Sequence, residues 1–270
     1  MPTNLHAIRQ GLTEIGSGLQ SMSEGVQRII SALPFEVDAV TMGSTDWISG
    51  NQTITDGPEG SLVMWVKVDL PAAAAIGLFS NADSYVGAGL TDTGLSGSTY
   101  FYSSDGVTFV EATANSSAID DNVWGPVFVS WKTDFSAGNR LVKFLFGDVS
   151  LSDSIIDAGA SFSVFYNSQP FYIGRQVFES QVFVGDMAEV WFDDSYIDFS
   201  TEANRRKFAT AGGKPVDVGT DGSTPTGGQP IIYLSVRPGD AAADFVTNRG
   251  TGGNFTQNGT LSLAGTSPSD

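Results

Sequence analysis

Apolar residues fall at Leu5, Ile8, Leu12, Ile15, Leu19, Met22, Val26, Ile29 and Leu33, with spacings that alternate three and four. This is a heptad repeat that stops at Pro34, whose ring and missing N–H cannot continue a helix. A lone amphipathic helix follows a 3.6-residue period and drifts off a strict seven-residue repeat over such a length, so the pattern predicts a coiled-coil stalk over residues 1–34. Leu5, Leu12, Leu19, Val26 and Leu33 take the first core position, and Ile8, Ile15, Met22 and Ile29 the second. Leucine followed by isoleucine favours three or four strands over two, and a homotrimer is the expectation. Gly11, Gly16, Gly18 and Gly25 each cost about 1 kcal/mol against alanine inside a helix, so the stalk needs its globular domains or a docking partner. The alternative is a helix packed on its own domain, which has no need of a seven-residue repeat.

After Pro34 the period changes. Ser61–Val68, Val127–Lys132, Arg140–Phe146, Phe171–Gly174 and Met187–Phe192 are rich in β-branched and aromatic residues, each bounded by Gly, Asn, Asp, Ser or Pro. Short strands separated by turn signals predict an all-β fold over residues 35–270, an antiparallel jelly-roll β-sandwich. One short helix is expected near 200–209, with Ser200 as N-cap, Glu202 in the first turn and Arg205, Arg206 and Lys207 at the end, a charge order that suits the helix dipole. Residues 213–230 have the composition of a linker. Ile231–Ser235, Phe245 and Gly253–Leu261 return to strand-like sequence and read as closing strands of the same sandwich, because a separate domain of about 40 residues without cysteine or metal would be marginal.

Composition narrows the chemistry. Hydrophobic residues make up 41% of the chain, enough to bury a core, and 30 acidic against 13 basic residues give a net charge of -17. Such a surface repels phosphate backbones and anionic lipid, so neither nucleic acid nor membrane is an expected partner. There is no cysteine, which excludes disulfides and thiolate chemistry. The single histidine, His6, falls in the heptad region, so neither a Ser-His-Asp triad nor a histidine-rich zinc site can be assembled. The start of the chain lacks a basic stretch followed by an apolar one, and no run approaches ~18 consecutive apolar residues. Synthesis in a cytoplasm, where the protein stays until something carries it out, is the expectation.

Gly60–Lys67, then Trp124 with Phe128–Trp131, then Phe171–Gly174 and Gly185–Phe192, resemble successive strands of the concanavalin-A-like lectin/glucanase superfamily, of which laminin-G-like domains are one branch. The resemblance runs over residues 40–265 and implies a lectin-like sandwich. Asp198–Phe208, Gly213–Gly227 and Tyr233–Ser235 resemble a block in laminin-G-like proteins of tailed bacteriophages and prophages. That resemblance implies an accessory structural protein of the virion surface, a fibre, spike or decoration protein held by a capsid or tail protein, with a host-surface glycan as candidate ligand. The alternatives are a carbohydrate-binding adhesin module with no tie to a virion and, last, a glycoside hydrolase.

Glucanases of the superfamily carry the pattern Glu-x-Asp-x-x-Glu on one strand. The nearest match is Glu189 with Asp193, four apart and so on one face of a regular strand, but the middle acid is missing and no enzyme activity is expected. No cofactor is expected either. Calcium at the rim of the sandwich is the open question, since related domains bind it through carboxylates and carbonyls. Asp46, Asp56, Asp83, Asp120, Asp121, Asp153 and Asp186 lie in loop-like sequence, and Asp186 sits where some laminin-G-like domains place a rim acid; the competing explanation is a solvated turn aspartate. Glycan contact would use exposed aromatics, for which Trp47, Tyr85, Tyr100, Phe101, Tyr102 and Tyr166 are candidates against the alternative of core packing.

Overall fold

The computed structural model describes residues 15–23, 35–69, 75–81, 86–92, 97–104, 109–116, 122–134, 141–150, 154–158, 161–166, 170–176 and 181–270. The chain divides into two compact units, Met1–Phe35 and Glu36–Asp270. In the first, residues 15–23 form a helix, α1. Ile15, Leu19 and Met22 are 61%, 62% and 68% exposed on it, at the i, i+4, i+7 spacing that shares one face. The other heptad positions, Leu5, Ile8, Leu12, Val26, Ile29 and Leu33, lie outside the described residues.

The second unit is a β-sandwich. Its strands are β1 (Val40–Met42), β2 (Trp47–Asn51), β3 (Glu59–Val68), β4 (Ala75–Asn81), β5 (Val86–Asp92) and β6 (Gly97–Ser104). There follow β7 (Phe109–Ser116), β8 (Trp124–Lys132), β9 (Leu141–Phe146), β10 (Val149–Ser150), β11 (Ser154–Ala158) and β12 (Pro170–Ile173). The last are β13 (Arg175–Gln176), β14 (Gln181–Val182), β15 (Gly185–Asp193), β16 (Ile232–Leu234), β17 (Thr256–Asn258) and β18 (Ser262–Leu263). One sheet runs β10-β9-β8-β3-β15-β1-β18, with β16 continuing the β1 side of β15. The other runs β11-β7-β6-β5-β4-β12-β2-β17, and β13 and β14 pair with each other. β1 lies between β15 and β18, and the Val37 amide donates to Ser269 Oγ at 2.9 Å, so the two ends of the sandwich sit side by side.

Strand β3 shows why the sequence reads as a near-continuous apolar run. Leu62, Met64, Val66 and Val68 enter the core between the sheets, while the alternate residues Val63 and Trp65 are equally buried on the opposite face. The inner core centres on Phe79, Trp131, Tyr166, Phe171 and Phe192, with Phe192 ring centroids 5.6 Å from both Phe79 and Phe171. Its polar tips are paired: Trp131 Nε1 donates to Tyr166 Oη at 2.8 Å, and that hydroxyl donates to the Glu59 carbonyl at 2.8 Å.

The outer face of the first sheet is covered by residues 196–230. Phe199 and Phe208 pack on Phe128 and Trp191, at centroid distances of 5.1 Å for Phe128–Phe199 and for Trp191–Phe208. Trp191 Nε1 donates to the Gly222 carbonyl at 2.9 Å. The linker composition of residues 213–230 is therefore misleading: the segment is a strap, fixed by bonds such as Val216 N to Phe208 O at 3.0 Å and Thr224 N to Val218 O at 3.0 Å. The helix expected near 200–209 shrinks to one turn, α2 (Glu202–Arg205), whose N-cap is Thr201 and not Ser200. Ser200 instead donates its amide and hydroxyl to Asp198 Oδ1, at 3.0 and 2.6 Å. The buried Arg205 bonds the Phe199 and Ser200 carbonyls and Asp148 rather than capping a longer helix.

Candidate functional site

Where β2, β12 and β17 run together, the second sheet presents a different kind of outer face. Ile48, Phe171 and Ile173 point into the core, so alternation sends Trp47, Ser49 and Tyr172 outward. Tyr172 and Thr256 both stand opposite Ser49, and Asn258 stands opposite Trp47. Asn258 Nδ2 donates to Ser49 Oγ at 3.1 Å. Trp47, Ser49, Tyr172 and Asn258 are all half-buried, within reach of solvent.

Two glycines build this corner. Gly174, at φ +77, ends β12; a Cβ there would also lie 2.8 Å from Met42 Sδ, so the turn is closed to other residues. The turn carries Arg175 over the aromatic pair, with its Cζ 4.4 Å from the Trp47 ring centroid and 5.8 Å from that of Tyr172. Gly259, at φ +83, lets a second turn approach Asp46, whose Oδ1 a Cβ would meet at 2.0 Å. The Asp46 carboxylate accepts from the amides of Gly43 at 2.8 Å and Thr260 at 3.0 Å, locking the backbone before Trp47. The result is a fixed platform of aromatic ring, hydroxyl, amide and guanidinium, the set of groups that orients a small polar ligand on an apolar surface.

The remaining sequence candidates scatter. Tyr166 belongs to the core. Tyr100, Phe101 and Tyr102 fall on β6 opposite Gly89, Ala88 and Gly87 of β5, and Tyr85 lies outside the described residues. Asp83, Asp120, Asp121 and Asp153 also lie outside them. Asp186, on β15, accepts from Thr41 Oγ1 at 2.6 Å and faces Lys67 Nζ at 3.4 Å. Among the described residues no three acidic or imidazole side chains converge as metal ligands.

Glu189 and Asp193 do not stand on a regular strand. A β-bulge between Ala188 and Trp191 places Glu189 at φ 47, and its side chain is 6% exposed. The carboxylate accepts from Tyr233 Oη at 2.9 Å and Ser235 Oγ and lies 3.3 Å from Arg237 Nη1, whereas Asp193 takes the Ser195 hydroxyl. Burial pushes the Glu189 carboxyl above its ordinary value, against the opposing pull of Arg237 and the two hydroxyls. The cavity beside it, lined by Val63, Trp65, Trp191 and Phe208, measures about 10 Å³, room for a single water and none for a saccharide.

Sequence reasoning missed Tyr172, Arg175, Ser49 and Asn258. The signal for Tyr172 was present in Phe171-Tyr172-Ile173, where alternation between two core residues points the tyrosine out. Arg175 is found only once Gly174 is recognised as a turn at the end of that strand.

By fold the chain is similar to a native heptameric SAP-like pentraxin from Limulus polyphemus, with a TM-score of 0.54 and 10% identity over 86% of this chain and 96% of that one. It is similar also to a putative carbohydrate binding protein from Bacteroides ovatus ATCC 8483, with a TM-score of 0.53 and 15% identity over 86% of this chain and 62% of that one. A full-length tailspike protein 2 from an Escherichia coli O157:H7 bacteriophage aligns at a TM-score of 0.48 and 14% identity, over 72% of this chain and 26% of that one. No protein-family model matches the sequence, and no curated protein matches it. Likeness at these identities shows the fold alone, a β-sandwich shared with these proteins.

Proposed function

We propose that the chain is a non-catalytic sugar-binding module that reads a glycan on the open corner of its second sheet. The observation that carries this reading is the platform of Trp47, Tyr172 and Arg175 beside Ser49 and Asn258. Sugars present C–H faces to aromatic rings and hydroxyls to adjacent donors and acceptors, and this corner supplies both in a rigid arrangement. The sandwich shared with a protein named as a putative carbohydrate binding protein adds support through the fold. The test is a glycan array probed with the full chain, with and without calcium. Binding that Trp47→Ala removes supports the proposal; an array with no binder sinks it.

The setting we propose is a virion surface, with three sandwiches displayed on an N-terminal coiled coil docked to a capsid or tail protein. Its support is the heptad register, the exposed apolar stripe of Ile15, Leu19 and Met22, and the resemblance of Asp198–Phe208, Gly213–Gly227 and Tyr233–Ser235 to phage laminin-G-like proteins. A trimeric mass by light scattering, reduced to a monomer by Ile15→Asp with Leu19→Asp, is the expected result. A monomeric parent chain would remove the stalk, and absence from purified virions would remove the particle.

A further inference from the structure

The open corner holds a positive charge with no acid partner among the described residues, in a chain with 30 acidic and 13 basic residues. Of the described arginines, Arg205 and Arg206 pair with Asp148, Arg237 with Glu189 and Arg249 with Asp240. Arg175 has no such partner among the described residues, and its buried Nε makes no hydrogen bond. Acids outnumber bases by more than two to one in the chain, so a described arginine with no described acid beside it is unusual here.

Stacking explains how the side chain is held. A guanidinium over aromatic rings uses its faces and keeps its N–H groups in the plane, directed outward from the stack. The backbone beneath is pinned by Ser80 Oγ, which donates to the Arg175 carbonyl at 3.0 Å. The side chain is thereby pre-ordered, so a ligand does not bear the entropy of immobilising it. A planar fork of donors matches a planar carboxylate through parallel charge-assisted hydrogen bonds.

We infer that the sugar read at this corner is an acidic one, with its carboxylate on Arg175 and its hydroxyls toward Ser49 and Asn258. The inference rests on the sugar-binding proposal and narrows it. The net charge of -17 sharpens it further. A polyanion would be repelled by the protein as a whole, over a Debye length of about 10 Å at 0.1 M salt, so the preferred ligand carries its charge singly, at a chain end or in a sparsely charged polymer.

The experiment is a calorimetric titration of the full chain with matched sugars: neutral, carboxylated, the methyl ester of the carboxylated sugar, and sulfated. The carboxylated sugar is expected to bind, and its methyl ester to bind about tenfold to hundredfold more weakly, as loss of a charge-assisted contact requires. Arg175→Gln should abolish the difference between acid and ester while leaving residual sugar binding, and Arg175→Lys should restore part of it. The acid–ester comparison uses the unaltered protein, so it stands even if a variant folds poorly. Equal binding of acid and ester, or preference for the sulfated sugar, overturns the carboxylate inference and leaves the sugar-binding module intact. If none of the four binds and the array is also blank, both fall.

Discussion

The outer faces of the two sheets start from the same alternation and end differently. Behind the first sheet, Val63, Trp65, Phe128 and Trp191 are sealed under the strap of residues 196–230, and the charges caught there, Glu189 and Arg237, are set against each other. Behind the second sheet, Trp47 and Tyr172 stay within reach of solvent, and the charge beside them, Arg175, has no acid partner among the described residues. The difference lies in what covers the strand, since both faces put aromatics outward. A covered face spends its aromatics on stability; an accessible one keeps them for a ligand.

Substitutions on the two faces should therefore separate stability from binding. The largest effect is expected from Trp191→Ala, which empties the space under the strap and removes the bond to Gly222: a loss of about 3–5 kcal/mol in denaturant unfolding. Glu189→Ala should cost about 2–3 kcal/mol by stranding Arg237, Tyr233 and Ser235, a figure kept low because Arg237 reaches solvent. Trp47→Ala should move stability by less than about 1 kcal/mol. Sugar binding should fall by at least about tenfold, and comparable losses of stability at Trp47 and Trp191 would erase the contrast between the faces.

A pH series sharpens the same contrast. The Glu189 carboxyl is raised in the fold by burial from its ordinary value of 4.5, so folding favours its neutral form. Its stabilising contribution is present below that ordinary value and is lost as pH rises through the raised one. Unfolding of Glu189→Gln compared with the parent chain should accordingly shift in the variant's favour from pH 4.5 upward, and a difference independent of pH would refute the assignment. The smallest effect belongs to Asp186→Asn, expected to change stability by no more than about 0.5 kcal/mol, since it removes one surface ion pair with Lys67. If calcium instead stabilises the parent chain and not this variant, the rim-acid reading of Asp186 returns.

The long strands were readable because burial on both faces leaves nearly unbroken apolar runs, as in β3 and β15. The strap was not, because its attachments run through backbone groups such as Val216 N and the Gly222 carbonyl, and composition does not register those. Period-two reasoning failed at Glu189 for a single cause, the extra residue of a bulge. At the corner, Trp47 was visible as an aromatic near a turn. Arg175 was hidden by the step across Gly174, which moves it from one strand onto another's side chain.

The hydrogen bond between Val37 and Ser269 has a consequence for how such a unit travels between proteins. Residues 36–270 leave from the place where they arrive, so a host polypeptide that accepted them within a surface loop would have its own two loop ends held a few ångströms apart. Closing a chain across so short a gap asks almost nothing of the recipient's geometry. The sandwich is thus shaped so that another polypeptide can carry it within a loop, with the Trp47–Arg175 corner unaltered.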